Sequence, residues 1–294
     1  MRVRSSILGA LVVLGVASAH ASADVDASGS WIVFSALPKG LPPAQLFRVE
    51  TTGAGLEQLT TGTAIASEPA FSPDGKRVVF TRLGQGIFVV NLEGSGLRQL
   101  TKGNQDHFPV WSPNGRHIAF LRVVGKAWRL FLINPSGAGL HRLPEAPPAG
   151  RPTWTADSKS IYMPVLGALD RIDARTGRVQ KRIPVSIDPF TGHAATMSPN
   201  ARNVVFVGPN ASAPGCGDVS CVRFALYLAQ APKWKAKKFT TDTGPAGWSP
   251  DGKSLIFVTH NRLHVWPLAG GTRTSIETGH NIPSGDAPPA WQPR

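Results

Sequence analysis

A chain of 294 residues with 41% hydrophobic and 17% charged residues is long and apolar enough to bury a core of its own. That excludes a disordered segment or a miniprotein that depends on dense disulfides. Pro (26) and Gly (31) are abundant without a collagen period, which predicts many turns between short elements, and a formal charge of +13 favours acidic partners or serves solubility.

The chain begins with Arg2 and Arg4, an apolar run from Ile7 to Ala17, and small residues up to Ala23. That order is the one of a secretory signal peptide over 1–23, cut before Asp24. The apolar run is short for a membrane span of roughly 20 residues, and no Cys follows it for lipid attachment. Cleavage removes two arginines and lowers the charge from +13 to +11. An exported, secreted or periplasmic protein is expected, with 24–294 as a single domain and no transmembrane segment after cleavage. Export also argues against nucleic acid as the partner.

From residue 71 onward one ten-residue phrase returns: FSPDGKRVVF at 71–80, WSPNGRHIAF at 111–120, MSPNARNVVF at 197–206 and WSPDGKSLIF at 248–257. The residues that open the copies, Phe71, Trp111, Trp154, Met197, Trp248 and Trp291, are spaced 40, 43, 43, 51 and 43 apart. A period of about 40–45 residues built from short strands is the signature of a β-propeller blade. In SPDGK, Pro73 presets φ, Asp74 accepts bonds from nearby amides, and Gly75 accepts positive φ, which makes a tight turn between two strands. Ala201 replaces the glycine in SPNAR, and TADSK at 155–159 lacks both Pro and Gly, so these two turns are expected to be less regular.

The strand after each turn is apolar on both faces, as Val78, Val79 and Phe80 show. A strand exposed on one side would alternate instead, so these strands are expected to lie between neighbouring blades. Third strands (GIFVVNL, WRLFLIN, RLHVWPL) and fourth strands (GLEQLT, GLRQLT, GLHRLP) follow. SGSWIVFS at 28–35 fits a second strand with no first strand before it, and APPAWQPR at 287–294 fits a first strand with nothing after it. The two ends therefore share one blade. The expected fold is all-β: a six-bladed propeller of four-stranded antiparallel blades, closed by the C-terminal strand in the N-terminal blade, with no open edge.

LTKGNQDHFPVWSPNGRHIAF (100–120) and AGWSPDGKSLIF (246–257) resemble the WD40-like repeats of TolB-type six-bladed propellers, and the resemblance runs over roughly 30–293. It implies the fold far more firmly than a function, because propellers host many functions. TolB proteins carry an α/β domain before the propeller that binds other envelope proteins, and the prolyl oligopeptidase group adds a Ser-His-Asp hydrolase domain. Neither is expected in this chain.

No nucleophile elbow, zinc-protease helix, Walker loop or calcium loop occurs, so no catalytic residue, metal or cofactor is assigned. Residues just before each innermost strand are expected to line one mouth of the central channel: Glu68, Asp106, His107, Arg151, His193, Asp242 and Asp286. Groups of both signs converging there suit a small ligand or the tip of a peptide. Arg151 would anchor an anion, and His107 and His193 would act as neutral donors or, with Glu68 or Asp286, as metal ligands. A second feature is a basic edge, with Arg175, Arg178, Lys181 and Arg182 in one blade and Lys233, Lys235, Lys237 and Lys238 in the next. It would either meet an anionic envelope surface or polymer or guard strand edges. Cys216 and Cys221, an even pair in an exported chain, read as a disulfide within a blade insertion, contributing roughly 2 kcal/mol.

The function expected is a non-catalytic binding or scaffold module for a protein or peptide partner, in the cell envelope or outside, acting as a monomer. The alternative is a metal-assisted lyase or hydrolase acting on an anionic sugar or peptide at the channel mouth. An apolar mouth would favour the partner; a dense ionisable cluster would favour the enzyme.

Overall fold

The computed structural model describes residues 29–144, 150–165, 167–185, 195–209, 224–241, 244–282 and 288–293. Residues 1–23, expected to be a signal peptide, and Cys216 and Cys221, expected to pair, lie outside them. The first blade holds β1 (Trp31–Ala36), β2 (Gln45–Glu50) and β3 (Glu57–Gln58). The second runs through β4 (Ala66–Phe71), β5 (Arg77–Arg82), β6 (Gly86–Asn91) and β7 (Arg98–Gln99). The third has β8 (Asp106–Trp111), β9 (Ile118–Val124), β10 (Ala127–Ile133) and β11 (His141–Arg142). The fourth has β12 (Thr153–Trp154), β13 (Ser160–Val165), β14 (Ala168–Asp173) and β15 (Val179–Pro184). The fifth has β16 (Thr196–Met197), β17 (Asn203–Pro209), β18 (Phe224–Gln230) and β19 (Lys235–Thr241). The sixth has β20 (Ala246–Trp248), β21 (Ser254–Thr259), β22 (Arg262–Pro267) and β23 (Thr274–Ile276), and the chain ends on β24 (Ala290–Trp291).

These strands form six four-stranded antiparallel sheets, each in chain order from its innermost strand, except that β24 stands before β1 in the first. Closure is thus made where the sequence puts it. Ile32 pairs with Trp291 and Val33 with Ala290. Gln292 extends the join: its amide donates to Trp31 O at 2.9 Å, its Oε1 accepts from Trp31 N at 3.0 Å, and its Nε2 donates to Gly75 O of the second blade at 3.0 Å.

The repeated phrase forms the same turn five times. In the second blade, the Ser72 hydroxyl donates to Asp74 Oδ1 and accepts from Arg77 N at 2.9 Å, while Asp74 Oδ1 also accepts from Lys76 N at 3.1 Å. The turns expected to be irregular keep this pattern. Asp157 Oδ1 accepts from Thr155 Oγ1 at 2.6 Å and Lys159 N at 3.0 Å, and Asn200 Oδ1 accepts from Ser198 Oγ at 2.7 Å and Arg202 N at 3.0 Å. The side-chain bonds hold the turn, and Ser158 and Ala201 take positive φ (59° and 55°) where glycine stands elsewhere. The Leu-Thr pair that ends the first two blades has a role too: the hydroxyls of Thr60 and Thr101 accept from Leu46 N at 2.9 Å and Ile87 N at 3.0 Å.

The core is a ring of interfaces between neighbouring sheets. Val33, Phe71 and Phe80 join the first two blades, Val79, Ile118 and Phe120 the next pair, and Leu121, Trp154 and Met163 the next. Leu169, Met197 and Phe206 continue it, then Val205, Leu255 and Phe257, and Ile32, Ile256 and Val265 close it. Second strands are buried on both faces because each lies between two sheets. Phe34, Phe80, Phe120 and Phe257 hold one register position and are at most 1% exposed, each burial stabilising by roughly 1.5–3 kcal/mol. Fourth strands are shorter than the sequence pattern predicts. β3, β7 and β11 have two residues and β23 three, whereas β15 and β19 have six and seven.

Candidate functional site: the central channel

Two inner strands, β4 and β8, skip register between Ser67 and Ala70 and between His107 and Val110. Each skip falls on a residue followed by proline, Glu68-Pro69 and Phe108-Pro109. Proline has no amide for the ladder, so it sits at bulges, and Glu68 and Phe108 take positive φ of 59° and 54°.

Glu68 is 6% exposed. Its Oε2 accepts from the Thr81 hydroxyl and from the Phe108 amide, both at 2.6 Å, so a carboxylate of the second blade holds the backbone of the third. Its Oε1 meets His107 Nδ1 at 3.2 Å. The bond to Glu68 raises the His107 pKa above its ordinary 6.5, against the opposing effect of burial. The His107 ring stands edge-on to Trp128 at 5.3 Å.

Asp106 does not reach the channel opening. It is 1% exposed and gripped by Arg122 at 2.5 and 2.8 Å and by the Thr101 hydroxyl. A side chain at Gly103 would collide with its carboxylate, so glycine is required there. The strand registers also revise which residues correspond. Ala70, Val110 and Thr153 pair with Val79, Ala119 and Tyr162, which makes Glu68, Phe108 and Arg151 equivalent, while Asp106 and His107 stand earlier on their strand.

Arg151 is 8% exposed and borders a cavity walled by the inner strands. Its Nη2 crosses from the fourth blade to donate to Pro69 O of the second at 3.0 Å. Nη1 has no partner. Burial pushes its pKa down to about 10, partly opposed by Glu68, so it remains charged at neutral pH. His193, Asp242 and Asp286 lie outside the described residues.

At the Glu68 end the channel opens into a pocket of about 560 Å3. Its lining is mostly apolar, with Phe34, Pro42, Pro43, Ile65, Phe108 and Trp128 around the Glu68–His107 pair. Two irregularities shape it. The segment between β1 and β2 brings Pro42 and Pro43, and β9 and β10, each one residue longer than β5 and β6, carry Trp128. Leu83 and Ile65 in the lining are 48% and 39% exposed, and Leu41, beside Pro42, is 68% exposed. Sequence reasoning chose the charged residues and missed these apolar ones; the run LPKGLPPA, with no counterpart in the other repeats, was the available signal.

Among the described residues no group of three or more His, Cys, Asp or Glu could hold a metal ion, and no helix is long and apolar enough to cross a membrane. On the outer wall, Lys233, Lys235, Lys237 and Lys238 are exposed, as are Arg175, Arg178 and Lys181. Arg182 is tied to the fully buried Asp170 at 2.7 and 2.8 Å. Both long outer strands carry a β-bulge, opposite Arg171/Ile172 and Leu226/Tyr227.

A closed ring of six four-stranded sheets around a channel, stitched by its own C-terminal strand, defines a six-bladed β-propeller. Residues 17–158 match the family described as TolB beta propeller domain. A solved structure of TolB from Acinetobacter baumannii superposes with a TM-score of 0.72 at 16% identity, covering 90% of this chain and 67% of that one. The chain has the fold of a six-bladed propeller, and the stretch of it that the family model matches is similar to TolB propellers. Tol-Pal system protein TolB of Rhizorhabdus wittichii is 49% identical over 53 residues, 16% of this chain and 12% of that protein. Dipeptidyl-peptidase 5 of Porphyromonas gingivalis is 35% identical over 74 residues, 22% of this chain and 11% of that one. The matches thus span about an eighth of these relatives' length or less.

Proposed function

We propose that this protein is an exported, non-catalytic propeller that binds a protein or peptide partner in the cell envelope or outside it. The observation that carries this reading is the apolar pocket at the Glu68 end of the channel, with Leu41, Ile65 and Leu83 exposed around it. Contiguous apolar surface next to a concave pocket is what a partner's side chain buries on docking, and Trp128 is the residue type that dominates such contacts. Glu68 spends its carboxylate on Thr81, Phe108 and His107, so its role is to fix the pocket floor. His107 then offers the partner a polar group within an apolar wall. The names of the relatives, Tol-Pal system protein TolB among them, are consistent with a place in the envelope.

The test is capture from an envelope extract by mature protein carrying a photo-crosslinker at Leu83. One protein should be captured, and the double variant Trp128→Ala/Leu41→Asp should lose it at an unchanged melting temperature. Capture that the double variant retains would place the partner elsewhere on the ring.

A further inference from the structure

The channel has a second cavity, of about 240 Å3. It is walled by the C-terminal halves of the inner strands, whereas the apolar pocket is bordered by their N-terminal halves, and Pro289 borders both. One ring of its wall is set by register: Ala70, Val110, Thr153, Thr196, Gly247 and Ala290 occupy the same position in the six blades. Four of them are Ala, Val or Gly, and the Thr196 hydroxyl is bonded to Ala246 O at 3.3 Å. The indoles of the neighbouring Trp248 and Trp291 donate to Thr196 O and Ser30 Oγ.

Against this largely spent wall stands Arg151. It precedes Thr153, the first residue of β12, by two positions. Both border the cavity. The guanidinium has five donors in a planar fork, and among the described residues one bond, to Pro69 O, is its whole complement, with Nη1 unpartnered. The carboxylate nearest in charge, Glu68, has its oxygens engaged by Thr81, Phe108 and His107. A buried cation that no counter-ion contacts among the described residues is costly to keep charged.

We propose that this cavity is an anion-binding site that takes one carboxylate, held by the Arg151 guanidinium and the Thr153 hydroxyl. The size limits the occupant: water's share of liquid volume is about 30 Å3, so the space admits a carboxylate with a few neighbouring atoms. A peptide's terminal carboxylate, an acidic side chain or a free small acid all carry this chemistry. The site is independent of the partner reading above, because its residues border the opposite half of the channel.

Calorimetry with sodium acetate, at constant ionic strength and neutral pH, tests the site on the mature protein. Saturable one-site binding is expected, abolished by Arg151→Gln and weakened about threefold to tenfold by Thr153→Val, the equivalent of one neutral hydrogen bond. A short peptide with a free C-terminus should compete with acetate and its amidated form should not; competition by neither would assign the site to a free small acid, still a carboxylate. Phosphate binding more tightly than acetate would overturn the assignment to a carboxylate. Should Arg151→Gln fail to fold, Thr153→Val and a crystal soaked in bromide decide, the ion being expected beside the guanidinium. No saturable acetate binding by the folded protein, or a bromide-free cavity, would leave Arg151 as a clamp between blades and end the proposal.

Discussion

Ala201 and Ser158 hold backbone at φ 55° and 59°, a region that costs a residue with a Cβ roughly 1–2 kcal/mol. Replacing either with glycine removes that strain, less the extra freedom glycine gives the unfolded chain. Ala201→Gly should therefore stabilise by about 0.5–1 kcal/mol, seen as a melting temperature higher by about 2 °C. Asn200→Ala should act oppositely, because Asn200 Oδ1 serves both Ser198 Oγ and Arg202 N. His107 gives a residue-scale test of a different kind. Its pKa is raised by the bond to Glu68, so the charged pair's contribution to stability is fully present below pH 6.5, the ordinary histidine value. It fades as pH rises through the higher folded-state pKa. An NMR titration should place His107 above 6.5 and return it toward that value in Glu68→Gln; an unchanged titration in the variant would refute the pairing.

At the scale of the element, the two long outer strands carry the densest positive charge. β3, β7, β11 and β23 are too short to template another strand, while β15 and β19 present six and seven residues. Each long edge has a bulge and a row of exposed Lys or Arg, two devices that block edge-to-edge pairing. Changing Lys233, Lys235, Lys237 and Lys238 to Gln should speed aggregation in light scattering while leaving the melting temperature nearly unchanged. The reading of this edge as a contact for an anionic surface predicts, in addition, vesicle binding that weakens with salt as the screening length shortens toward about 8 Å. Aggregation without vesicle binding would assign the charge to edge protection alone.

At the scale of the whole molecule, the ring depends on a short closure. β24 pairs through two residues, and Gln292 adds bonds to Trp31 and to Gly75 of the neighbouring blade. Deleting 287–294 removes Trp291 from the interface between the first and sixth blades and bares the inner edge of β1. Burial of one aromatic is worth roughly 1.5–3 kcal/mol, and the lost ladder adds to it, so the truncated protein should melt well below the intact one and aggregate. Gln292→Ala should cost about 1–3 kcal/mol with the ring still closed. Equal melting temperatures for truncated and intact protein would refute closure by β24.

The amino-acid sequence by itself determined the repeat, the strand order and the shared first blade. Each rests on local chemistry: a turn coded within five residues, and a doubly apolar strand that only a neighbour on each side can cover. It also marked Glu68, His107 and Arg151 as channel residues, since their place before an inner strand is set by the same period. What those side chains do was decided by contacts, most of them between blades, that the repeat does not encode. Asp106 found Arg122 within its own blade and Thr101 at the end of the second, Glu68 turned to the amide of Phe108, and Arg151 reached across to Pro69. The bulges at Glu68-Pro69 and Phe108-Pro109 fall at the same place in their blades, so Glu68 corresponds to Phe108 and not to Asp106 or His107. The apolar pocket arises the same way: Pro42 comes from the first blade and Phe108 and Trp128 from the third, and only packing the blades side by side brings them to one opening.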